Sequence, residues 1–445
     1  MTASPDLRAF DPLDPETLRC PAPHYAEMRA TAPVLYLENY DFYLVTRRDL
    51  VLDILRDPAT FSSHREKFVL QDSDEHKAII EAVAAEGFPR VSTLLRVDPP
   101  AHTRYRRLVA KPFSPRAIAQ FEQYAREITS ELVDQWDGAR RIDFVDRFAV
   151  PLPLRVIARA LNVPDDRLAD FKRWSDDIVI ATGATPSLER VLEAERSVNE
   201  FQHYFAEALE QRRRHPQDDL LTGLLEARID DDDPDVSDRR PLDLPELLNL
   251  IAQILTGGNE TTTKLLAEMM LLLAQHPHEW EMMRADPSTI PAVVEESLRL
   301  ASVAQGMYRI TTRDVEIEGV PIPAGATVIP MFCSANRDES VFDEPDTFNP
   351  RREGLQDHLA FGRGVHYCLG ASLARMEARV TMETLTTRLR SFTLSDTNSF
   401  RYSPSFILRG LAELELDLVW AAGRDTGTDQ PITSSSPTIT NRGTS

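Results

Sequence analysis

Phe361-Gly362-Arg363-Gly364-Val365-His366-Tyr367-Cys368-Leu369-Gly370, near the C-terminal end of the 445-residue chain, sets one cysteine among glycines just ahead of a helical pattern. Glycine admits positive φ and leaves no Cβ in the way, so Gly362 and Gly364 let the backbone approach a flat ligand. From Leu369 the apolar positions Leu373, Met376 and Val380 recur at intervals of four, three and four, which predicts a helix with one inward stripe. Its positive end lies at Cys368, where free N–H groups favour the thiolate, the form that ligates a metal. A buried free cysteine in a glycine-rich turn is the competing reading.

Working outward, Asp98-Pro99-Pro100-Ala101-His102-Thr103-Arg104-Tyr105-Arg106-Arg107 is the second informative stretch. Its prolines launch a helix that carries His102 and Arg106 on one face, although a solvated basic helix end fits the same residues. The longest helical pattern spans about 243–275 and meets a stop signal at His276-Pro277. Its centre breaks local rules. Gly257 and Gly258 each cost a helix interior up to ~1 kcal/mol, and Asn259, Glu260, Thr261, Thr262 and Thr263 suit an otherwise Leu/Ile/Ala/Met helix poorly. Either the helix opens there to seat a small ligand beside Glu260 and Thr261, or it kinks without chemistry. Glu296 and Arg299 stand at Glu-x-x-Arg spacing on one helical face. Exposed, such a pair contributes only ~0.2 to 0.5 kcal/mol.

The remaining pattern is scaffold. Residues 34–37 and 42–46 read as strands around a turn, and Ile79, Ile80 and Val83 as a short helix inside a long loop. Amphipathic helices fill about 116–225, an acidic run at 230–235 reads as an exposed flexible loop, and 307–311, 315–317 and 320–328 read as strands of a small sheet. A hairpin is expected at 402–409, and the residues from about 422 lack apolar periodicity and are expected to be disordered.

Composition bounds the function. Hydrophobic residues at 42% suffice for a sizeable core, while 27% charged residues and a net charge of −21 describe a soluble acidic protein for which nucleic acid is a poor partner. Length alone suits about three domains or one large helical domain. The N-terminal residues show no basic-then-apolar leader, and no apolar run approaches the ~18 residues of a membrane span, so the expected location is cytoplasmic with no membrane contact. Cys20, Cys333 and Cys368 form no C-x-x-C pair, which argues against a disulfide framework or a zinc site.

The decapeptide around Cys368 resembles the haem-binding loop of cytochromes P450, soluble bacterial type, and four other stretches resemble that family's motifs in the family's order. The resemblance covers roughly residues 30–420. It implies a mainly α fold with small β-sheets, a single haem-enclosing domain at 31–421 between an N-terminal extension (1–30) and the tail (422–445). Cys368 would be the thiolate ligand of the iron in haem b, with Phe361, Gly362 and Gly370 shaping the loop. His102, Arg106, Arg309 and His366 would bind the haem propionates, for which guanidinium is well suited. Gly257, where the family more often has alanine, Glu260 and Thr261 resemble the oxygen-binding motif, with the acid and alcohol relaying protons. Glu296, Arg299 and Arg352 would form a buried structural cluster. Candidate substrate contacts are Phe88, Leu94, Leu95, Ile254, Val303, Phe406 and Ile407, an apolar set that suits a medium-sized hydrophobic molecule such as a terpenoid, steroid, polyketide or aromatic compound.

The implied activity is a monooxygenase that uses O2, fed by a separate ferredoxin and ferredoxin reductase. Arg104, Arg107, Lys111, Arg363, Arg375 and Arg379 are expected to form a local basic patch that steers an acidic ferredoxin. A peroxide-driven haem peroxygenase is the alternative, and a non-catalytic haem binding or sensor protein a more distant one. The retained acid and alcohol at Glu260 and Thr261 argue against both.

Overall fold

The computed structural model describes residue 7 and residues 10–64, 74–110, 113–136, 138–180, 186–230 and 233–421. The 422–445 tail and Lys111 lie outside the described residues. Helices dominate, and they are arranged around one long member, Leu244–Gln275. Its start is fixed locally. The Asp243 side chain accepts from the Glu246 N–H while the Glu246 carboxylate accepts from the Asp243 N–H, and Pro245 fits a first turn whose N–H groups need no helical partner. It ends before Pro277, which opens the next helix, Pro277–Ala285. Leu247, Leu250, Ile251, Leu255, Leu266, Met269, Met270 and Leu273 bury it from several sides, as expected for a helix inside a core. Helices Pro151–Ala160, Leu168–Ile178, Ile290–Ala301 and Ala371–Arg388 pack against it.

The opening expected at Gly257 and Gly258 does not occur: the chain stays helical throughout. Hydroxyls of Thr256 and Thr261 bond back to the carbonyls of Ala252 (2.9 Å) and Gly257 (2.7 Å), which keeps them compatible with the helix. Gly258 has a packing reason, since a Cβ there would press on the Ile157 side chain at 3.0 Å. Gly257 has none, because its Cβ position faces open space.

Three small sheets flank the helices. The largest runs Val34–Leu37, Phe42–Val45, Thr327–Pro330, Arg309–Thr311, Phe61–Ser62, with only the Phe42–Val45 and Thr327–Pro330 pair parallel. A second joins Arg141–Asp143, Glu415–Trp420 and Leu389–Leu394, and Val315–Ile317 pairs with Val320–Ile322. Helix Ala22–Thr31 buries Tyr25 and Met28 in one cluster with Phe42, Leu44, Phe406 and Ile407. Arg409 ties the same region together, donating to the carbonyls of Leu18 and Arg19, each at 2.9 Å, and pairing with Glu268 of the central helix at 3.4 Å. No helix among the described residues is long and apolar enough to cross a membrane.

Glu296, Arg299 and Arg352 come together in the interior. Arg299 donates Nε and Nη2 to the two oxygens of Glu296 at 2.8 and 2.7 Å, and both side chains are wholly buried. Arg299 Nη1 also donates to the carbonyls of Asn336 and Pro345, and Arg352 Nε reaches Glu296 at 3.4 Å. A buried ion pair of this kind stabilises little relative to an apolar substitute, but losing one member strands the other. Arg299→Ala is therefore expected to cost about 3–5 kcal/mol of unfolding free energy, read from the denaturant midpoint.

Candidate active site

Cys368 sits in a compact loop ahead of helix Ala371–Arg388, which begins three residues later than the sulfur. The Cys368 N–H donates to the Phe361 carbonyl at 3.0 Å and closes the loop. Gly362 and Gly364 adopt positive φ, 65° and 74°. At Gly364 the close approach is to protein rather than to a ligand: a Cβ there would meet the Leu55 carbonyl oxygen at 2.6 Å, so glycine lets helix Arg48–Arg56 brace the loop. Phe361 is covered by the Arg375 guanidinium, 4.5 Å from the ring centre. Burial pushes the Cys368 thiol up, while the Gly370 N–H, Arg106 and Arg375 pull it down without overcoming that penalty.

Beside the loop, nitrogen-bearing side chains converge. The His102 and His366 rings lie 4.3 Å apart, and His366 Nε2 is 2.9 Å from Ser63 Oγ. Arg106 Nη1 donates to the Tyr367 carbonyl at 2.8 Å. Arg309 is 6% exposed, and burial lowers its pKa to about 10 with only Asp98 opposing. Asp98 itself accepts from the Ser62 hydroxyl and the Ser63 N–H. Burial together with Arg309, His102 and Arg106 pushes His366 down to about 3, so the imidazole is neutral. The cluster has an excess of positive charge in a desolvated place, a setting that calls for an anion.

On the central helix, Thr261 faces the Gly257 side and Glu260 pairs with Lys264 at 2.8 Å. Burial raises the Glu260 carboxyl, but Lys264 and Lys172 outweigh it and hold it below the ordinary range. Asp176 of helix Leu168–Ile178 bonds to both Glu260 and Lys172, and burial lifts its carboxyl. Lys264 was legible from its position one turn after Glu260; Lys172 and Asp176 had no local signal.

The apolar candidates fall in separate groups. Leu94 and Leu95 approach the central helix next to Ile254, with the Leu95 N–H donating to Gln253 at 3.2 Å and the Leu95 side chain largely exposed. Val303 meets the 406–408 segment through the Ala304–Leu408 bridge, and Phe406 packs on Tyr40 and Phe42. Phe88 lies against His203 and Gln202 of helix Leu188–Arg214.

A sequence profile described as Cytochrome P450 matches residues 184–408. The 6-deoxyerythronolide B hydroxylase of Saccharopolyspora erythraea is 33% identical over 427 residues, which span 94% of this chain and 100% of that protein. The chain is a cytochrome P450. The solved P450 structure of CYP109Q5 from Chondromyces apiculatus matches it with a TM-score of 0.80 at 39% identity, over 93% of this chain and 98% of that one. CYP109E1 from Bacillus megaterium in complex with corticosterone matches at 0.77 and 32%, over 90% and 99%.

Cytochromes P450 are monooxygenases that bind haem b, and the residues present fit that group. Cys368 has the thiol that would ligate the iron, the charge excess around Arg309 would suit the propionates, and open space faces Gly257. The basic patch anticipated for the P450's electron donor needs correction. Arg104 is 3% exposed and directed inward, to Glu246, at 2.9 Å. Arg107 pairs with Asp233 and Asp235 of the acidic run, and Arg379 with Glu122 and Glu383. Arg375 is held by Glu295 at 2.5 Å, while Arg363 is exposed beside the loop. A burial-driven pairing across distant segments is invisible to a count of local charges.

Glu246 also accepts from Arg240 and Tyr105, at 2.6 and 2.8 Å. Burial works against its charge, but Arg240, the Asp243 N–H, Arg104 and Tyr105 prevail and hold it at about 2, against an ordinary 4.5. A depressed carboxyl stabilises the fold above its unfolded pKa, and that contribution is lost as pH falls through the folded one. Glu246→Gln is expected to cost about 3 kcal/mol at neutral pH, a gap that narrows in urea titrations as pH drops from 4.5 toward 2.

Proposed function

We propose that this P450 inserts one oxygen atom from O2 into a medium-sized hydrophobic molecule, by hydroxylation or epoxidation, with electrons from a separate ferredoxin and its reductase. A cytoplasmic setting belongs to this reading, because the reductants that feed a ferredoxin are made there. The observation that carries it is Cys368 in a braced loop beside a buried cationic cluster that lacks its anion. In this reading Cys368 ligates the iron, His102, Arg106, Arg309 and His366 hold the propionates, and Phe361, Gly362 and Gly370 shape the loop. Haem, when bound, supplies the binding and reductive cleavage of dioxygen. Gly257 leaves room on the distal side, the Thr261 hydroxyl offers a proton at its Oγ1, and Glu260 resupplies that proton from its link to Asp176 and Lys172.

Support for the substrate class comes from the partly buried Leu94 and Ile254; Phe406 and Ile407 are buried with Tyr25 and Phe42 instead, and Leu95 is exposed. That class accords with a relative named for hydroxylating 6-deoxyerythronolide B and a structural neighbour holding corticosterone. Retention of the acid and alcohol, Glu260 and Thr261, favours dioxygen over peroxide as the oxidant.

Cys368→Ser, purified, reduced and exposed to carbon monoxide, is expected to lose the red-shifted Soret band together with product formation. An unaltered band with intact turnover would refute the ligand assignment. For the electron partner, Arg363→Glu is expected to slow reduction by an acidic ferredoxin on the order of tenfold at low salt, with the difference fading as salt rises. Equal rates at every salt concentration would remove this face as the docking site.

A further inference from the structure

Next to Glu296 on helix Ile290–Ala301, Glu295 directs its carboxylate to partners that flank the cysteine loop. Both oxygens take a guanidinium bond from Arg375 of helix Ala371–Arg388: Nε donates at 2.5 Å and Nη2 at 3.0 Å. From the other side of the loop, His358 Nε2 lies 2.9 Å from the same carboxylate. The Ala360 N–H donates to His358 Nδ1 at 3.2 Å, so that nitrogen is bare and the ring proton sits on Nε2, donated to Glu295.

These two partners hold the loop. Arg375 Nη1 donates to the Tyr367 hydroxyl at 3.2 Å, and the guanidinium lies 4.5 Å from the centre of the Phe361 ring. The His358 ring is 6.0 Å from the same ring, and the Phe361 carbonyl is the one that takes the Cys368 N–H. Phe361 is thus in contact with two groups that Glu295 keeps in place. Anchoring the helix itself is the work of its neighbours: Arg299, paired with Glu296, already donates to the carbonyls of Asn336, Pro345 and Thr347.

Charge gives the arrangement a second consequence. Two cations, Arg106 and Arg375, act on Cys368. Arg106 is assigned to the propionates in the reading above, whereas Arg375 already has its counter-ion. Burial works against the Glu295 charge, yet His358 and Arg375 prevail and hold its carboxyl at about 2, so the pair is ionic at neutral pH. At these distances a bidentate pair is close to a neutral unit as seen from the sulfur, and partial burial limits its screening by salt. Without Glu295 the guanidinium would face the sulfur uncompensated. A cation beside a thiolate ligand draws electron density from it and favours the reduced metal.

We propose that Glu295 is a positioning residue for the cysteine ligand: by pairing Arg375 and accepting from His358 it fixes Phe361 and cancels the charge beside Cys368, which keeps the reduction potential of the iron low. This rests on the reading of Cys368 as that ligand. No bond is made or broken in this role, and no proton moves.

The test takes haem-loaded full chains of the parent, Glu295→Gln, Arg375→Gln and the double variant through a dithionite titration with mediator dyes. In Glu295→Gln the ferrous-to-ferric ratio at a fixed solution potential is expected to rise on the order of tenfold, which for one electron is about 59 mV. Arg375→Gln is expected to shift the ratio in the opposite sense, and the double variant, neutral again, to return toward the parent. A tie between helices without electrostatic reach would give no such reversal. An unchanged ratio in Glu295→Gln, a shift the other way, or a double variant no nearer the parent than Glu295→Gln overturns the proposal. Should Glu295→Gln not retain haem, Arg375→Gln decides in its place, and an unmoved ratio there has the same force. The parent's reduced carbon monoxide spectrum separates the two failures. A red-shifted Soret band with ratios that do not move removes only the Glu295 role, whereas a parent without that band removes the ligand assignment as well.

Discussion

A guanidinium taken out of water must find negative charge or lose stability, and Arg309 meets this constraint with no carboxylate bonded to it among the described residues. The surrounding structure is organised to leave that demand open. Strand Arg309–Thr311 is fixed between Thr327–Pro330 and Phe61–Ser62, which sets the backbone from which the arginine extends. The residue after Phe61–Ser62, Ser63, contacts His366, and the loop bearing His366 is braced by the Leu55 carbonyl at Gly364. Sheet and cysteine loop are thus coupled through a shared polar seam.

Around Thr261 the protein sets two acids in opposed environments. Lysines hold the Glu260 carboxyl below its ordinary range, and burial lifts that of Glu377. Environments that drive like groups apart in acidity are how one scaffold holds a base and an acid at the same pH. Glu260 sits on the central helix and Glu377 on Ala371–Arg388, which packs against it.

Much of this was legible in the sequence where the cause is local. The Asp243–Glu246 cap, the His102–Arg106 face, the Glu296–Arg299 spacing and the strands around 34–45 are set within a few residues. What escaped depends on distant partners. Arg104 reads as a surface cation until Glu246, far along the chain, takes it inside, and Asp176 reads as an ordinary helix acid until Glu260 is packed against it. The glycines show the same divide: positive φ at Gly362 and Gly364 was readable, whereas the reason at Gly364, a carbonyl from another helix, was not. The polar residues at the helix centre look unsuited to it and left an opening or a kink as readings; back-bonding hydroxyls reconcile them with an unopened helix.

Arg409 carries a lesson for anyone recombining members of this family. Its guanidinium grips the carbonyls of Leu18 and Arg19 while its charge is met by Glu268, so three regions remote in sequence share a single rivet. A chimera that borrows its first thirty or so residues from a homologue also inherits a docking requirement written near the opposite terminus. The two extremities are best exchanged as a matched set, with crossover points placed in the stretch between them.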